Sequence, residues 1–432
     1  MRLILTGTRW PGDDIAIEDG RIAARGEVRA REGDRIIHCE GDIITPGLVN
    51  THHHLYQWMT RGRATGCDLF GWLKVLYPIW ARMDTADIRA AALTGLGELA
   101  LSGATTVADH HYIVPRGDDS VFYAIADAAR EVGVRLVLSR GSMDLGESNG
   151  GLPPDDIVED TEAVLASTES VASNLHDGDM TTVVVAPCSP FSVTPELMET
   201  SAVLARTLGL RLHTHLAETV SEERDCQARY GRRPLEVMEE LGWVGQDVWF
   251  AHGIHFNPAE IQRLGTAGVG VAHCPSSNGR LASGFCPVVD LRSAGVPVGL
   301  GVDGAASNES GALFPEIRQA VYLARLREGR PDALSPEEGL EMATVGGAKC
   351  IGRPELGTLE VGSPADIAVW PGGDLEDVED ALAGLVLGPD RRVRHLFVGG
   401  RMVVEDGMPV GFNLDASHRE LARRAKRLFA SD

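Results

Sequence analysis

Between residues 46 and 350, short apolar runs alternate with amphipathic stretches in which apolar residues recur every three or four positions. The first pattern is typical of buried strands and the second of helices that cover a sheet, as at 86–101 and 195–208. The pattern predicts eight strands. They lie at 42–49, 104–109, 135–139, 181–186, 211–215, 248–252, 269–273 and 296–302.

Eight strand–helix units over about 300 residues are consistent with an α/β fold of the (β/α)8 TIM-barrel type. A doubly wound open sheet gives a similar string of elements. The strand ends favour the barrel, because it gathers its carboxyl ends around one axis, whereas an open sheet would separate the first, fifth and eighth strands. Six polar residues fall at or just past these ends: His52, His54, Asp109, His215, His252 and Asp303.

Both ends of the chain consist of short alternating segments joined by tight-turn dipeptides. Residues 14–18 and 21–25 flank Asp19-Gly20, which predicts a hairpin. Neither end has enough apolar sequence to fold alone, so we expect both to form one small β-sandwich. The expected organisation is a β-sandwich from 1–45 and 352–415, a TIM-barrel catalytic domain at 46–351 and a C-terminal helix at 416–432.

Composition narrows the function. The 62 acidic and 40 basic residues give a net charge of -22, which repels phosphate backbones and opposes a nucleic-acid partner. The sequence shows neither an apolar run of membrane-spanning length nor a secretory signal, so we expect a cytoplasmic protein without a membrane partner. The 7 cysteines form no CxxC pair, which indicates reduced thiols. A small-molecule substrate is favoured.

The segment PGLVNTHHH at 46–54 ends a predicted strand in three histidines. Alternation along the strand places His52 and His54 on one side, where two imidazoles supply half of a tetrahedral metal site. An HxH pair alone is a weak signal, and solvated or core histidines are the alternative. The remaining ligands must come from later strands.

The segment HTHLAE at 213–218 supplies a third candidate ligand. His215 ends the fifth strand, and Glu218 follows in the loop, where it can overhang the metal without binding it. The alternative is a core histidine and a solvated carboxylate. His213 lies deeper in the barrel and is interpreted as packing, with a metal ligand as the alternative.

The sixth and eighth strands each end in a candidate catalytic residue. His252 in FAHG is placed to polarise a carbon–nitrogen bond or to hydrogen-bond an attacking hydroxide, with a core histidine as the alternative. Asp303 in GLGVDGAASN lies among small residues and is expected to be the fourth ligand and a proton acceptor, with a helix N-cap as the alternative. Polar residues 276–278 are interpreted as turn caps.

In this order and spacing, PGLVNTHHH, HTHLAE, FAHG and GVDGAASN resemble the amidohydrolase superfamily over nearly the whole chain. The longer segments HHHLYQ, LFGWLKVLYPIWARM, RGSMDLGESNGGLPPD and CPSSNGRLAS most resemble 8-oxoguanine deaminases, with triazine hydrolases close to them. The resemblance implies catalytic roles for Glu218 and His252. It also implies a metal site formed by His52, His54, His215 and Asp303.

The positions of the lysines indicate how many metal ions each chain binds. Binuclear members of the superfamily bridge two ions with a carboxylated lysine on the fourth strand, but no lysine lies near residues 181–187. We therefore expect one divalent metal per chain, with zinc as the default for three histidines and one aspartate and iron as the alternative.

The resemblance implies hydrolytic deamination of 8-oxoguanine to urate and ammonia. Another purine, a pterin or an aminotriazine as substrate, triazine dechlorination and a non-catalytic metal-binding scaffold are the alternatives. Gln57, Tyr77 and Arg140 are candidates for holding the heterocycle, although each is equally suited to a surface or core position. Trp58 is larger and Gly279 is smaller than the side chains that the resemblance implies at these positions, so we expect them to alter the shape of the pocket. A homodimer is the commonest state of soluble oligomers.

Overall fold

A computed structural model describes residues 2–430. The N-terminal strands form a four-stranded sheet in the order β3-β2-β1-β4, in which β1 pairs antiparallel with β2 and parallel with β4. The hairpin predicted at Asp19-Gly20 is confirmed by the pairing of β2 with β3. These strands are β1 (Leu3–Thr6), β2 (Asp14–Glu18), β3 (Arg21–Gly26) and β4 (Arg35–His38).

The run at 42–49 divides into two strands that belong to different sheets. β5 (Ile43–Pro46) pairs with the C-terminal strand Ile367–Trp370, whereas β6 (Leu48–Asn50) begins the barrel. The expectation of one continuous strand was therefore wrong. A Cβ on Gly47, between the two, would lie 2.2 Å from the Thr105 side chain, so the chain passes at a point where only glycine fits.

β6 to β13 form an eight-stranded sheet in sequential order. The backbone N–H of Thr51, just after β6, donates to the carbonyl oxygen of Leu300 in β13 at 2.9 Å, which joins the two ends of the sheet. The predicted TIM barrel is confirmed. Its further strands are β7 (Ala104–His111), β8 (Arg135–Ser142), β9 (Thr181–Pro187), β10 (Leu212–Leu216), β11 (Val248–His252), β12 (Gly270–His273) and β13 (Val298–Leu300).

Helices surround the barrel, and most begin at a side-chain cap such as Asp84 or Thr194. Those up to residue 350 are α1 (Leu69–Trp80), α2 (Thr85–Leu101), α3 (Ser120–Val132), α4 (Thr161–Leu175), α5 (Pro195–Leu208), α6 (Val220–Tyr230), α7 (Pro234–Glu240), α8 (Pro258–Ala267), α9 (Pro275–Arg280), α10 (Val288–Ser293), α11 (Phe314–Glu328), α12 (Pro336–Ala343) and α13 (Val345–Cys350). Short 3-10 turns lie at Leu55–Thr60, Pro115–Gly117, Glu147–Asn149, Asp155–Ile157 and Gly373–Leu375.

The C-terminal strands complete a five-stranded antiparallel sheet with β5, and buried side chains such as Leu5 and Phe397 join the two small sheets in one core. The segment 352–415 also contains a helix that the sequence did not predict. The described part of the chain shows no helix long and apolar enough to cross a membrane. The last elements are β14 (Ile367–Trp370), α14 (Ala381–Leu387), β15 (His395–Val398), β16 (Arg401–Glu405), β17 (Met408–Pro409) and α15 (Leu414–Phe429).

The helix expected at 416–432 begins two residues earlier, because the Asn413 side chain accepts a hydrogen bond from the Ala416 N–H and caps it. It packs on α2 through the hydroxyl groups of Thr94 and Ser417, which lie 2.6 Å apart. Residues 431 and 432 lie outside the described part of the chain.

Candidate metal centre and active site

The predicted metal ligands lie at the carboxyl ends of the barrel strands. His52 and His54 follow β6, His215 is in β10, and Asp303 lies three residues beyond β13 with a φ of +61°. Parallel barrel strands end on the same face, so residues that are distant in sequence meet there.

The distances show a convergent site. His54 Nε2 lies 3.1 Å from His215 Nε2 and 3.2 Å from Asp303 Oδ1. His52 Nε2 lies 3.4 Å from the same carboxylate oxygen. All four side chains are buried. The structure therefore brings together the four residues that the sequence analysis proposed as ligands.

Backbone carbonyls determine which ring nitrogens carry hydrogen. His54 Nδ1 lies 2.7 Å from the carbonyl oxygen of His110, and His215 Nδ1 lies 2.6 Å from that of Cys188. Because a carbonyl only accepts, each Nδ1 is the donor. In the neutral rings, each Nε2 then presents a lone pair to the centre.

A two-histidine relay orients His52. His213 Nδ1 donates to the carbonyl oxygen of Trp249 at 2.9 Å, so its Nε2 accepts from His52 Nδ1 at 2.8 Å. His52 Nε2 is left with a lone pair and has no hydrogen-bond partner among the described residues. His213, interpreted from the sequence as packing, therefore also orients a candidate ligand.

The donor set is suited to a divalent cation. Burial lowers the pKa values of His52 and His215, which favours the neutral imidazoles that bind metals. Three lone pairs and a carboxylate at these distances would repel one another without a cation between them. His110 also lies in this cluster, with its ring stacked on His215, but its Nε2 contacts the Ala186 carbonyl at 2.9 Å.

Glu218 and His252 lie beside this centre. Glu218 Oε2 is 3.5 Å from His252 Nε2, and His252 Nε2 is 3.9 Å from Asp303 Oδ2. Burial raises the pKa of Glu218 to about 7. Burial lowers the pKa of His252, but the two nearby carboxylates outweigh it and the pKa is raised overall.

The segment interpreted as turn caps instead contacts two active-site candidates. The Ser277 hydroxyl donates to Asp303 Oδ2 at 2.6 Å, and Asn278 Oδ1 lies 2.9 Å from His252 Nδ1. Both residues are in α9 at the end of the seventh strand. Their place at a barrel strand end was a sequence signal that could have identified them, although they were interpreted as turn caps.

A pocket of about 360 Å³, which includes space open to solvent, adjoins the centre. Gln57 and Tyr77 line it, as expected, and the buried Gln57 Oε1 has no hydrogen-bond partner among the described residues. Most of the remaining wall is apolar or aromatic. The lining residues are His54, Gln57, Leu69, Trp72, Leu73, Tyr77, Tyr112, Cys188, Phe191, His215, Glu218, His252, Leu281 and Asp303.

Arg140 does not reach this cavity, which corrects the expectation that it holds substrate. Its fully buried guanidinium pairs with both carboxylate oxygens of Glu159, at 2.7 and 2.9 Å, and donates to the Ser167 hydroxyl at 2.9 Å. A buried guanidinium needs such partners, and they hold it between β8 and α4.

Trp58 and Gly279 also lie outside the cavity lining. A Cβ on Gly95 of α2 would lie 2.5 Å from Trp58 Nε1, and one on Gly311 would lie 2.3 Å from the same ring. The indole is thus buried against two glycines, away from the substrate pocket. Gly279 is exposed. Neither residue lines the cavity, so their influence on the shape of the pocket stays a prediction.

Known proteins resemble this chain over most of its length. The family model described as the amidohydrolase family matches residues 43–403. The chain belongs to the amidohydrolase family. This amidohydrolase is 46% identical over 412 residues to an 8-oxoguanine deaminase of Pseudomonas aeruginosa, covering 93% of this chain and 92% of the relative. It is 38% identical to an isoxanthopterin deaminase from an unknown prokaryotic organism, covering 98% and 92% of the two chains.

Among solved structures, the fold matches an atrazine chlorohydrolase of Arthrobacter aurescens complexed with zinc. The TM-score is 0.92 at 32% identity, and 99% of each chain is covered. Amidohydrolases bind a divalent metal, and the histidine cluster described above fits one. The protein is a hydrolase that acts on carbon–nitrogen bonds, and its relatives include deaminases of several heterocycles.

Proposed function

We propose that this amidohydrolase deaminates 8-oxoguanine, with water, to urate and ammonia. The observation that carries the choice of substrate is the 46% identity to an 8-oxoguanine deaminase across 93% of the chain. The pocket supports it, because a planar heterocycle suits a cavity with aromatic side chains in its wall and polar groups beside the proposed metal centre.

We propose one divalent metal per chain, held by His52, His54, His215 and Asp303. Zinc is the first candidate for this donor set, and iron is the alternative. When bound, the metal supplies Lewis-acid activation of a water molecule.

Glu218 is the proposed proton donor to the ring. Because burial raises its pKa to about 7, a large share of the carboxyl groups is protonated near neutral pH. Glu218 lines the cavity, so it is placed to protonate the ring nitrogen next to the attacked carbon, C2 in 8-oxoguanine. Protonation makes that carbon more electrophilic.

Asp303 and His252 complete the proton chemistry. Ser277 and Ser307 both donate to Asp303 Oδ2, at 2.6 and 3.2 Å, and so orient the carboxylate. Asp303 accepts a proton from the attacking water and returns it to the exocyclic nitrogen, so that ammonia leaves, and Glu218 recovers its proton from the new hydroxyl group as the carbonyl forms. His252 lies near the carboxylates of Glu218 and Asp303. There it stabilises the charge that develops on the atoms bonded to C2 during the attack.

Gln57 is proposed to hydrogen-bond the edge of the purine and so to select the substrate. Its unpartnered Oε1 would accept a hydrogen bond from a ring N–H, and 8-oxoguanine carries N7–H where guanine has a lone pair. Guanine would leave a buried polar group unpaired, and such sites discriminate strongly. The Tyr77 hydroxyl lies 3.7 Å from the Met143 sulfur and is the second candidate contact.

The test is steady-state ammonia release from 8-oxoguanine, guanine, isoxanthopterin and an aminotriazine, together with chloride release from a chlorotriazine. We expect the highest kcat/KM for 8-oxoguanine, with urate as the product identified by its ultraviolet absorbance. A higher kcat/KM for any other compound in the panel would reject the substrate assignment. Absence of turnover with all of them would also reject the deaminase mechanism for these classes.

A further inference from the structure

Glu222 is a buried carboxylate that the mechanism above does not use. It lies in the first turn of α6, and its side chain is almost fully enclosed. Oε1 accepts a hydrogen bond from the Ala217 N–H at 2.9 Å, and Oε2 accepts one from the Glu218 N–H at 2.7 Å. Both oxygens therefore bind the loop that carries the proposed proton donor.

This contact differs from an ordinary helix cap. Thr219 is the N-cap of α6 and Glu222 is the third residue of the helix. In a capping box, a glutamate at this position bonds the backbone N–H of the cap residue itself. Glu222 instead reaches one and two residues further back, to Glu218 and Ala217.

The loop that it holds is conformationally unusual. Ala217 has a φ of +54°, in the left-handed region that residues with a Cβ seldom adopt. The carbonyl oxygen of Ala217 also accepts from the backbone N–H groups of Ile254 and His255, both at 2.9 Å. The peptide before Glu218 is thus held on one side by α6 and on the other by the loop after β11.

We propose that Glu222 is a positioning residue that holds the Glu218 backbone so that the Glu218 side chain faces His252 and the cavity. The inference rests on the proposed role of Glu218 in proton transfer. Two charge-assisted hydrogen bonds from one rigid helix define the direction in which Glu218 leaves the backbone. A small misplacement of a catalytic group is enough to slow a reaction by ~10²-fold.

Two variants test this role. Glu222→Gln replaces one acceptor oxygen by a donor, so one of the two backbone N–H groups loses its partner. Glu222→Asp keeps the charge but is one methylene shorter and cannot bridge both N–H groups. Each variant is measured as the full-length metal-loaded enzyme, with whichever heterocycle the wild type turns over, and each is repeated in a Glu218→Gln background.

Glu260→Gln is the matched control. Glu260 is also a buried glutamate at the third position of its helix, but it bonds the N–H of its own cap residue, Asn257, at 2.7 Å and forms an ion pair with Arg233 at 2.8 Å. Its loss should lower the melting temperature without changing kcat. If removing any buried glutamate from the first turn of a helix lowered kcat, the Glu222 and Glu260 variants would both show it.

We expect both Glu222 variants to lower kcat by ~10-fold or more, with KM within about threefold of the wild type and metal content unchanged. In the Glu218→Gln background the same changes should cost less than about twofold, because Glu222 acts through Glu218. Thermal melting and metal analysis accompany the kinetics.

If a Glu222 change lowers kcat by the same factor with and without Glu218→Gln, the two residues act independently and the inference is overturned. Full activity in Glu222→Asp would also overturn it. Failure of both variants to fold, with Glu260→Gln folded, would assign Glu222 to stability and overturn it too. If Glu218→Gln alone keeps full turnover, the proposed proton donor is wrong. If Glu218→Gln is inactive while both Glu222 variants are unimpaired, only the positioning role fails.

Discussion

His252 Nδ1 lies 2.9 Å from Asn278 Oδ1. The amide oxygen only accepts, so Nδ1 carries the hydrogen and the ring is held with Nε2 towards Glu218 and Asp303. Asn278→Ala removes this restraint and should lower kcat by ~10-fold or more, because a positioned acid–base group contributes at least that much to the rate. The bound metal should stay. Steady-state kinetics and metal analysis check it.

Asn257→Ala is the control for Asn278→Ala. Asn257 caps α8 through the N–H of Glu260, so its removal should cost about 1 kcal/mol of unfolding free energy and leave kcat unchanged. An Asn278 variant with normal kcat would show that the orientation of His252 does not limit turnover.

The second prediction concerns metal content. The lone pairs of His52, His54 and His215 converge with Asp303, so purified protein should contain one divalent ion per chain. Chelation should abolish ammonia release and lower the melting temperature, and added zinc should restore both. Elemental analysis that finds two ions per chain would contradict the single-metal assignment.

A pair of histidine variants makes the metal test specific. His52→Asn should lose metal and activity together, because it removes one ligand. His395→Asn, in the β-sandwich, removes a histidine that is also buried but lies in a different sheet, so metal content should be unchanged. Equal metal loss in both variants would point to unfolding instead of ligand removal.

Glu218→Gln is expected to separate proton transfer from metal binding. The amide is nearly the same size as the carboxyl group but cannot deliver its proton to the ring, so turnover should fall by ~10²-fold or more. The bound metal should stay, since Glu218 contacts His252 and is not among the four converging ligands. Parallel loss of metal would make Glu218 a ligand.

Arg140→Met should affect stability and not substrate binding. The change leaves Glu159 as a buried charge without its guanidinium partner, which should cost about 3 kcal/mol of unfolding free energy. KM of the folded enzyme should be unchanged. Gln57→Ala, which alters the cavity wall itself, should raise KM with little loss of stability. A raised KM in Arg140→Met would restore the substrate-binding role.

The buried residues of the pocket wall predict a preference for free bases over nucleosides. Every residue that lines the cavity is buried, and Leu69, Trp72 and Leu73 of α1 form part of its wall. A ribose would displace the ring from its catalytic position, so kcat/KM for 8-oxoguanosine should be ~10²-fold or more below that for 8-oxoguanine. Comparable values for the two would show that the pocket opens widely during turnover.

The local pattern of apolar and polar residues was sufficient to predict most of the fold. Strand and helix periodicity depends on neighbouring residues, so β11 and α5 were placed with their observed limits. The four candidate ligands were also readable, because parallel barrel strands place their carboxyl ends on one face whatever the intervening sequence. The division of 42–49 into two strands was not readable, because β5 pairs with β14 and β6 with β7, and both partners lie far along the chain.

Side-chain partners were decided only by the tertiary structure. The sequence suggested a substrate contact for Arg140 and turn caps for Ser277 and Asn278, and it indicated no role for Glu222. Arg140 meets Glu159 inside the wall, whereas Asn278 meets His252, which is 26 residues away along the chain. Hydrogen bonds act over about 3 Å, so their pairing depends on how strands, loops and helices pack together, which no local sequence pattern records.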